Sequence, residues 1–500
     1  MSHQLYWGDL HTHCAISYGY GSLERAFKLG REHLDFCSVV GHATWHDMPT
    51  DRERHAFVID YHKEGFARLA RNWQTMQETV ARYNEPGRFA TFLSYEWHSC
   101  AFGDHNIYYL KDGGEIVERD SLEELDQTLA GQEVMIHPHH IGYGKGYRGI
   151  NWETFDGDRS PAVEILSGHG GSERDGGPYP MYHTMGPRQY KGTVAYGLEL
   201  GHKFGFLGGT DHHGGYPGHF GEGRTGVYAP ELSRRAIWDA IKARRCYAVS
   251  GDRIELAFDI NEGAMGSEIS SPGAREIRVK VRGADALDRI EVVKNNRPLK
   301  REFGGLPPVD PSGDSRMKIR VEWGWGDKEE SIRWDGEVKL SEGRLISVER
   351  CFTGDPVLAP TVDGAGVAEG EDPIHEIVGQ DERSVSWFSH TKGNPHPFLR
   401  ATNALVLEIE APSSGRLEFK VNGQHYNYDV GELLVGSQSE FIKGWRSEAL
   451  LVHRAVTDTQ LNASLSFTDN EPVRDTDFYY VRVAQENNQW AWSSPIWVTR

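Results

Sequence analysis

The feature that most constrains the fold is a change of periodicity near Ser250. Before it, short apolar runs at 5–10, 34–40, 89–95, 106–110, 133–136, 162–166 and 204–207 are separated by segments of helical period. The helical stretches are 22–33, 51–83, 187–200 and 232–244, and Ser121-Leu122-Glu123-Glu124 is a capping box that opens another. Strands alternating with helices predict a parallel sheet or barrel. After Ser250 the apolar runs are short and often alternate with polar residues, as in 253–260, 276–282, 289–294, 318–323, 345–351, 404–410, 417–422 and 479–484. Gly, Pro, Asn and Asp punctuate them and helical periods are scarce, which predicts a β-sandwich or two smaller β units. Segments 307–313 and 361–371 read as exposed loops. A chain of 500 residues exceeds what one core can serve, so the expected division is an α/β barrel over 1–250 and a β-rich domain over 251–500.

Histidine is distributed as unevenly as the periodicity. Nineteen of the 24 histidines fall in residues 1–250 and five in 251–500. Structural use of imidazole gives no reason for that split, whereas a metal site in one domain does. The histidines and acids also recur at the ends of the predicted strands. His11 and His13 follow the first, His42 the second, Glu96 ends the third, and His105 begins a short one. His137 ends another, Glu164 lies within the next, and Asp211 and His213 close the series. In a parallel barrel all C-terminal strand ends open onto one face. A His-x-His pair in an extended segment aims both rings the same way, and the same holds for Asp211 and His213. Mixed imidazole and carboxylate donors suit zinc, manganese or ferrous iron, and the lack of clustered cysteines disfavours a thiolate site. Glu164 reads equally well as a ligand and as a buried ion-pair partner. His46, His98, His139, His140, His169 and His212 are unsorted between supporting and solvent-facing positions.

The formal charge of −19, with no basic run, argues against nucleic acid and anionic lipid as partners. No apolar stretch of membrane-spanning length is present, and the N-terminus carries no basic-then-apolar leader. Five scattered cysteines without a CxxC pair fit reduced thiols, so the expected compartment is the cytoplasm. A small, anionic substrate remains compatible with the acidic surface, because a local cluster of cations overrides the global sign. The sequence leaves the oligomeric state open.

Gly8-Asp9-Leu10-His11-Thr12-His13, Gly41-His42-Ala43, Glu96, His105, His137-Pro138 and Thr210-Asp211-His212-His213 resemble, in order, the motifs of the polymerase-and-histidinol-phosphatase (PHP) superfamily. The likeness is nearest to an uncharacterised two-domain branch, a domain of unknown function with a C-terminal β-domain. The closing segment from Tyr480 to Val498 is similar to the end of that branch. The resemblance implies a distorted (βα)7 barrel with two or three divalent metal ions. It implies that His11, His13, Glu96 and Asp211 hold one metal, that Glu96 bridges to a second held by His105 and His137, and that His42 and His213 serve a third. Two positions depart from the family pattern. Gly19 stands where an acidic or histidine ligand is common, and Gly41 where Asp often precedes the second-strand histidine. Asp9 and His46 are the neighbours able to compensate.

The function expected from these residues is a metal-dependent hydrolase, specifically a phosphoesterase acting through a metal-bridged hydroxide on a small molecule. Arg148, Lys145, Arg174 and Arg224 lie in glycine-rich loops where an anion is contacted, Arg224 being the preferred choice. His139 or His212 is the expected acid toward the leaving group. The same chemistry serves an amide or carboxylic ester. A third reading is a carbohydrate-binding protein in which Trp323, Trp325, Trp334, Trp387, Trp490 and Trp492 form a stacking face, although such tryptophans are more often core.

Overall fold

The structure, a computed structural model, describes residues 3–304, 315–326, 331–354, 357, 374–393 and 402–500. The loops expected at 307–313 and 361–371 lie outside the described residues. The chain forms a strand-rich α/β fold with seven α-helices among the described residues.

In the first half, β1 (Gln4–Thr12) pairs in parallel with β2 (Phe36–Val39), which the chain extends through Val40 into β3 (Gly41–Trp45). Beyond β2 lies the short β4 (Ala90–Thr91). β3 pairs in parallel with β5 (Leu93–His98), followed by β6 (His105–Tyr109) and β7 (Val134–Pro138). A third sheet holds β8 (Ala162–Ser167), β9 (Gly170–Gly171) and β10 (Gly205–Gly208), with β8 and β10 parallel. β11 (Arg224–Ala229) returns to the free edge of β1 and is followed by β12 (Cys246–Val249).

The helices start where the capping side chains dictate. Ser22 accepts the Arg25 N–H at the head of α1 (Leu23–His33), and Asp51 accepts that of Glu53 ahead of α2 (Arg52–Tyr83). α2 buries Ile59, His62, Leu69, Met76, Val80 and Tyr83, one face of a 3.6-residue period; Leu69, Met76, Val80 and Tyr83 join the core of the first half, and His62 packs on Tyr18, Trp45 and His98. Ser121 caps α3 (Leu122–Thr128) and Ser233 caps α5 (Arg234–Lys242). The helix expected at 187–200 shrinks to a single 3-10 turn at Tyr190–Gly192 and α4 (Val194–Glu199). Gly192 presses against the carbonyls of Ile141 and Tyr143, where a Cβ would come within 2.6 Å of both.

The expectation of a parallel sheet or barrel is corrected at β6 and β11, and at the two-residue β9, which runs antiparallel to β8. β6 runs antiparallel to β5 and β7, and β11 antiparallel to β1 and β12. The connection 99–104 between β5 and β6 is too short for a crossover helix, so only a hairpin is open to it. That hairpin sets the start of β6 beside the end of β5, with Trp97 opposite His105.

The sheet that begins at β1 does not stop at residue 250. β12 pairs with Trp490–Ser493, and the sheet continues through Thr476–Gln485 to Leu287–Lys294 and Ile496–Thr499, eleven strands in all. Further on, a six-stranded sheet carrying Ser315–Trp325 and a five-stranded sheet carrying Ser331–Leu340 share one core. Strict alternation of buried and exposed residues along Ser331–Leu340 reflects a single buried face. Trp323 and Trp387 stack at 4.8 Å in that core beside Trp334, while Trp490 and Trp492 are buried against the first half. Only Trp325 of the six tryptophans considered as a stacking face reaches solvent. No described helix is long and apolar enough to cross a membrane.

A buried ion network ties the two ends of the chain. Arg482 donates to Glu173 Oε1 at 2.8 Å and to Glu291 Oε2 at 2.5 Å. Glu173, just past β9, also accepts from the Tyr480 hydroxyl at 2.7 Å and from Trp492 Nε1 at 3.1 Å.

Candidate metal centre

Seven segments of the first half bring imidazoles and carboxylates together. His11 and His13 project from the end of β1, His42 from β3, and Glu96 and His98 from β5. Asp104 precedes β6, His139 and His140 follow β7, His169 follows β8, and Asp211 and His213 follow β10. Every one of these side chains is at least four-fifths buried.

The inward-facing atoms converge. His11 Nε2 and His13 Nε2 are 3.0 Å apart and lie 3.4 and 3.0 Å from Asp211 Oδ1. His42 Nε2 is 3.3 Å from both Glu96 Oε2 and His213 Nε2, and His13 Nε2 is 3.6 Å from the same Glu96 oxygen. Glu96 Oε1 meets His139 Nε2 at 3.0 Å and His98 Nδ1 at 3.2 Å. Asp211 Oδ2 meets His169 Nε2 at 3.0 Å. Groups whose ligand atoms all lie within 4.8 Å of one another include His11/His13/Asp211, His13/His42/His213, His42/Glu96/His98, Glu96/Asp104/His139/His140 and His140/His169/Asp211.

The backs of the rings are held by other groups. Glu164 Oε2 takes His11 Nδ1 at 2.9 Å, the Val40 carbonyl takes His13 Nδ1 at 2.8 Å, and Ser17 Oγ lies 3.1 Å from His42 Nδ1. Glu164 and the Val40 carbonyl, as acceptors, hold the proton on Nδ1, and all three partners leave Nε2 facing inward, the arrangement that orients metal-bound histidines. Glu164 therefore supports His11 rather than joining the converging atoms, the ion-pair alternative of its two readings. Asp211 at φ 54° and His140 at φ 32° sit in left-handed backbone, which aims both side chains inward at a local conformational cost.

Several expected positions fall elsewhere. His105 gives Nδ1 to the Gly103 carbonyl at 2.9 Å and packs its ring edge-on to Trp97, and His137 lies against Tyr108 with neither nitrogen hydrogen-bonded. In their place the structure brings His98, Asp104, His139, His140 and His169. His212, an expected acid, bonds Glu222 at 3.0 Å and stacks on His219 at 4.0 Å. Arg224 is fully buried and donates to the carbonyls of Gly218 and Gly251, so it braces a loop and does not face a substrate. Lys145 pairs with Glu153 on the surface. Arg148 is the cation that reaches the cluster. Its Nε lies 2.8 Å from Asp104 Oδ2, its Nη2 2.8 Å from His98 Nδ1, and its guanidinium 4.9 Å over the Trp45 ring.

Neither neighbour compensates at the two departing glycines. Asp9 spends its carboxylate on the N–H groups of His11, Thr210 and Gly218 and on the Thr210 hydroxyl, and His46 stacks on Trp97. Gly41 has Leu69 where a Cβ would stand, 2.5 Å away, and beside Gly19 the ring of Tyr18 stacks on His42 at 3.6 Å.

The charges are frustrated without a cation. Burial and then the Asp104 charge push Glu96 well above the usual carboxylate range. Burial opposes protonation of His11, but Glu164 and Asp211 outweigh it and raise that ring to about 10. Burial lowers His13 to about 4, helped by His11 and opposed by Asp211. Glu96 Oε2, His98 Nε2 and the Nδ1 atoms of His139 and His140 make no hydrogen bond of good geometry although they are buried. The unsatisfied Glu96 Oε2, with the Nε2 atoms of His11, His13, His42 and His213 facing one another, is what divalent cations would satisfy. The residues fit a metal centre.

Two results are expected. His139→Ala and His169→Ala should lower metal content measured by elemental analysis, whereas His105→Ala and His137→Ala should keep it; the reverse pattern would move the centre toward β6 and β7. Metal binding should release at least one proton at pH 8, chiefly from His11, which lies below its value of about 10 and must free Nε2 to ligate. Affinity then rises with pH up to about 10. Calorimetry in buffers of different ionisation enthalpy measures the proton count, and a count of zero would contradict it.

Comparison with known proteins adds relatives without an assigned activity. The model of the family described as "Protein of unknown function (DUF3604)" matches residues 32–109 and 219–270. An uncharacterized protein of Chlamydia pneumoniae is 28% identical, the match covering 49% of this chain and 43% of that protein. One of Chlamydia trachomatis is 29% identical over 44% of this chain and 39% of its own length. The chain thus spans less than half the length of the curated relatives it matches. Among solved structures, a two-domain protein from Bacteroides vulgatus containing a predicted PHP-like metal-dependent phosphoesterase is 12% identical. It covers 85% of this chain and 95% of its own, at a TM-score of 0.32, which is only a loose correspondence.

Proposed function

We propose that the chain is a metal-dependent hydrolase of the PHP type, acting on a phosphoester of a small anionic molecule. In this reading β1 to β11 wall a distorted barrel, and the two sheets that share the tryptophan core form a sandwich beyond it. The observation that carries it is the convergence of His11 and His13 on Asp211 beside that of His42 on Glu96 and His213. Bound there, two or three zinc, manganese or iron ions would supply Lewis acidity for a phosphoryl group and lower the pKa of a water toward about 7.

The protein's own residues do the rest. Glu164, Val40 and Ser17 hold three rings with Nε2 facing inward. Asp104, kept well below the usual carboxylate range by Arg148 and His98 against the effect of burial, remains an anion that fixes His98, His140 and Arg148 together. Arg148 places a permanent positive charge at the rim, where an anionic substrate gains most from it.

The test is protein purified without chelator, assayed for metal content and against chromogenic phosphoesters, carboxylic esters and amides. Phosphoester turnover that chelator removes and metal restores is the expected result. Turnover confined to carboxylic esters or amides would sink the phosphoesterase and leave the hydrolase.

A further inference from the structure

One carboxylate of the cluster is already served by a cation of the protein's own. Asp104 is fully buried ahead of β6, and its Oδ1 accepts the Ser99 N–H at 3.0 Å. Its Oδ2 faces His98 Nδ1 at 3.1 Å and His140 Nε2 at 3.3 Å, the same mixture of imidazole and carboxylate that surrounds Glu96 and Asp211. Glu96, Asp104, His139 and His140 bring their ligand atoms within 4.8 Å of one another. By donor set alone, this end of the cluster suits a divalent ion as well as the others do.

Arg148 stands there instead. Its Nε lies 2.8 Å from Asp104 Oδ2, its Nη2 contacts the same oxygen, and Nη2 is also 2.8 Å from His98 Nδ1. A guanidinium donates and never accepts, so it takes up lone pairs of Asp104 Oδ2 and the lone pair of His98 Nδ1, the electrons that a metal would use. The surrounding chain holds it in place. Arg148 sits in left-handed backbone at φ 66° and gives its N–H to the Cys100 carbonyl at 3.3 Å. The Asn151 N–H reaches the Phe102 carbonyl at 3.1 Å, so the loop is sewn to the connection between β5 and β6. The Trp45 ring covers the guanidinium at 4.9 Å. The Arg148 side chain is only 18% exposed, and away from bulk water a second cation on the same oxygen meets strong repulsion.

We propose that Arg148 is a resident cation that fills one metal position of the cluster, so that Asp104 binds no ion and the metals are confined to the groups around Glu96 and Asp211. The assignment rests on the metal-dependent reading, and it makes the number of ions depend on this one side chain.

Zinc binding tests it. Native and variant proteins are dialysed to equilibrium against zinc, and zinc per chain is measured by elemental analysis. Arg148→Met removes the charge and keeps much of the volume, and it should bind about one zinc more per chain than the native protein. Arg148→Met/Asp104→Asn should return to the native count, and Asp104→Asn alone should leave that count unchanged. Arg148→Gln is a second way to remove the charge, and circular dichroism checks that each variant is folded. A count that fails to rise in both Arg148→Met and Arg148→Gln, or an ion lost from Asp104→Asn, overturns the resident cation and leaves the metal centre standing. Absence of bound zinc from the native protein and from every variant removes the metal centre, and the resident cation with it.

Discussion

Replacement of His13 by alanine should empty the cluster and abolish hydrolysis together. His13 Nε2 stands within 3.6 Å of His11, Asp211 and Glu96, so its loss removes a donor shared by two of the converging groups. Loss of a single donor or of the group that orients it typically costs metal affinity about 10- to 100-fold, and a shared donor should cost more than a peripheral one. Turnover should fall by about a thousandfold or more, because removing the cations removes both charge stabilisation and water activation. The ring is buried, so stability must be read separately. His13→Gln keeps polarity and much of the volume, and should fold like the native chain while still losing metal. A His13→Gln protein that retains metal and full turnover would contradict the proposed centre.

The second large effect is expected at the far end of the chain. Arg482→Met should destabilise the protein by about 3–5 kcal/mol, because Glu173 would then be buried without its cation and Glu291 would keep only Arg301. The triple variant Glu173→Gln/Glu291→Gln/Arg482→Met removes the uncompensated charges and should recover much of that loss. Urea denaturation of both variants measures it, and a change below about 1 kcal/mol for Arg482→Met would show that the network adds little. Glu173 lies four residues beyond His169, so a partial effect on metal retention at elevated temperature should accompany the loss of stability.

Much of this arrangement is legible in residue order. Ser22, Asp51, Ser121 and Ser233 announce their helices because a capping side chain acts on atoms two or three residues away. His11, His13, His42, Glu96, Asp211 and His213 are legible because strand ends converge and because period two keeps alternate side chains on one face. The same rule, applied to β5, points to His98, two residues beyond Glu96 on the same strand face. The separation of His105 and His137 from the converging atoms has a different origin. β7 ends at Pro138, which pairs with His105, and the chain leaves the strand before His139, so alternation no longer says which way that ring points. Asp104 and His169 lie in loops, where no period exists to read. The antiparallel β6 follows from loop length alone, whereas Arg224 could be placed only by knowing that the Gly218 and Gly251 carbonyls turn toward it.

The pairing of β12 with Trp490–Ser493 carries a consequence for biosynthesis. Strand Cys246–Val249 leaves the ribosome some 240 residues before the partner that covers its outer edge. During that interval a row of unpaired amide and carbonyl groups belongs to the half of the chain that holds the histidines. Translation that pauses or stops between the two segments would leave this edge open to other nascent chains, so the assembled sheet is among the last features of the molecule to be completed.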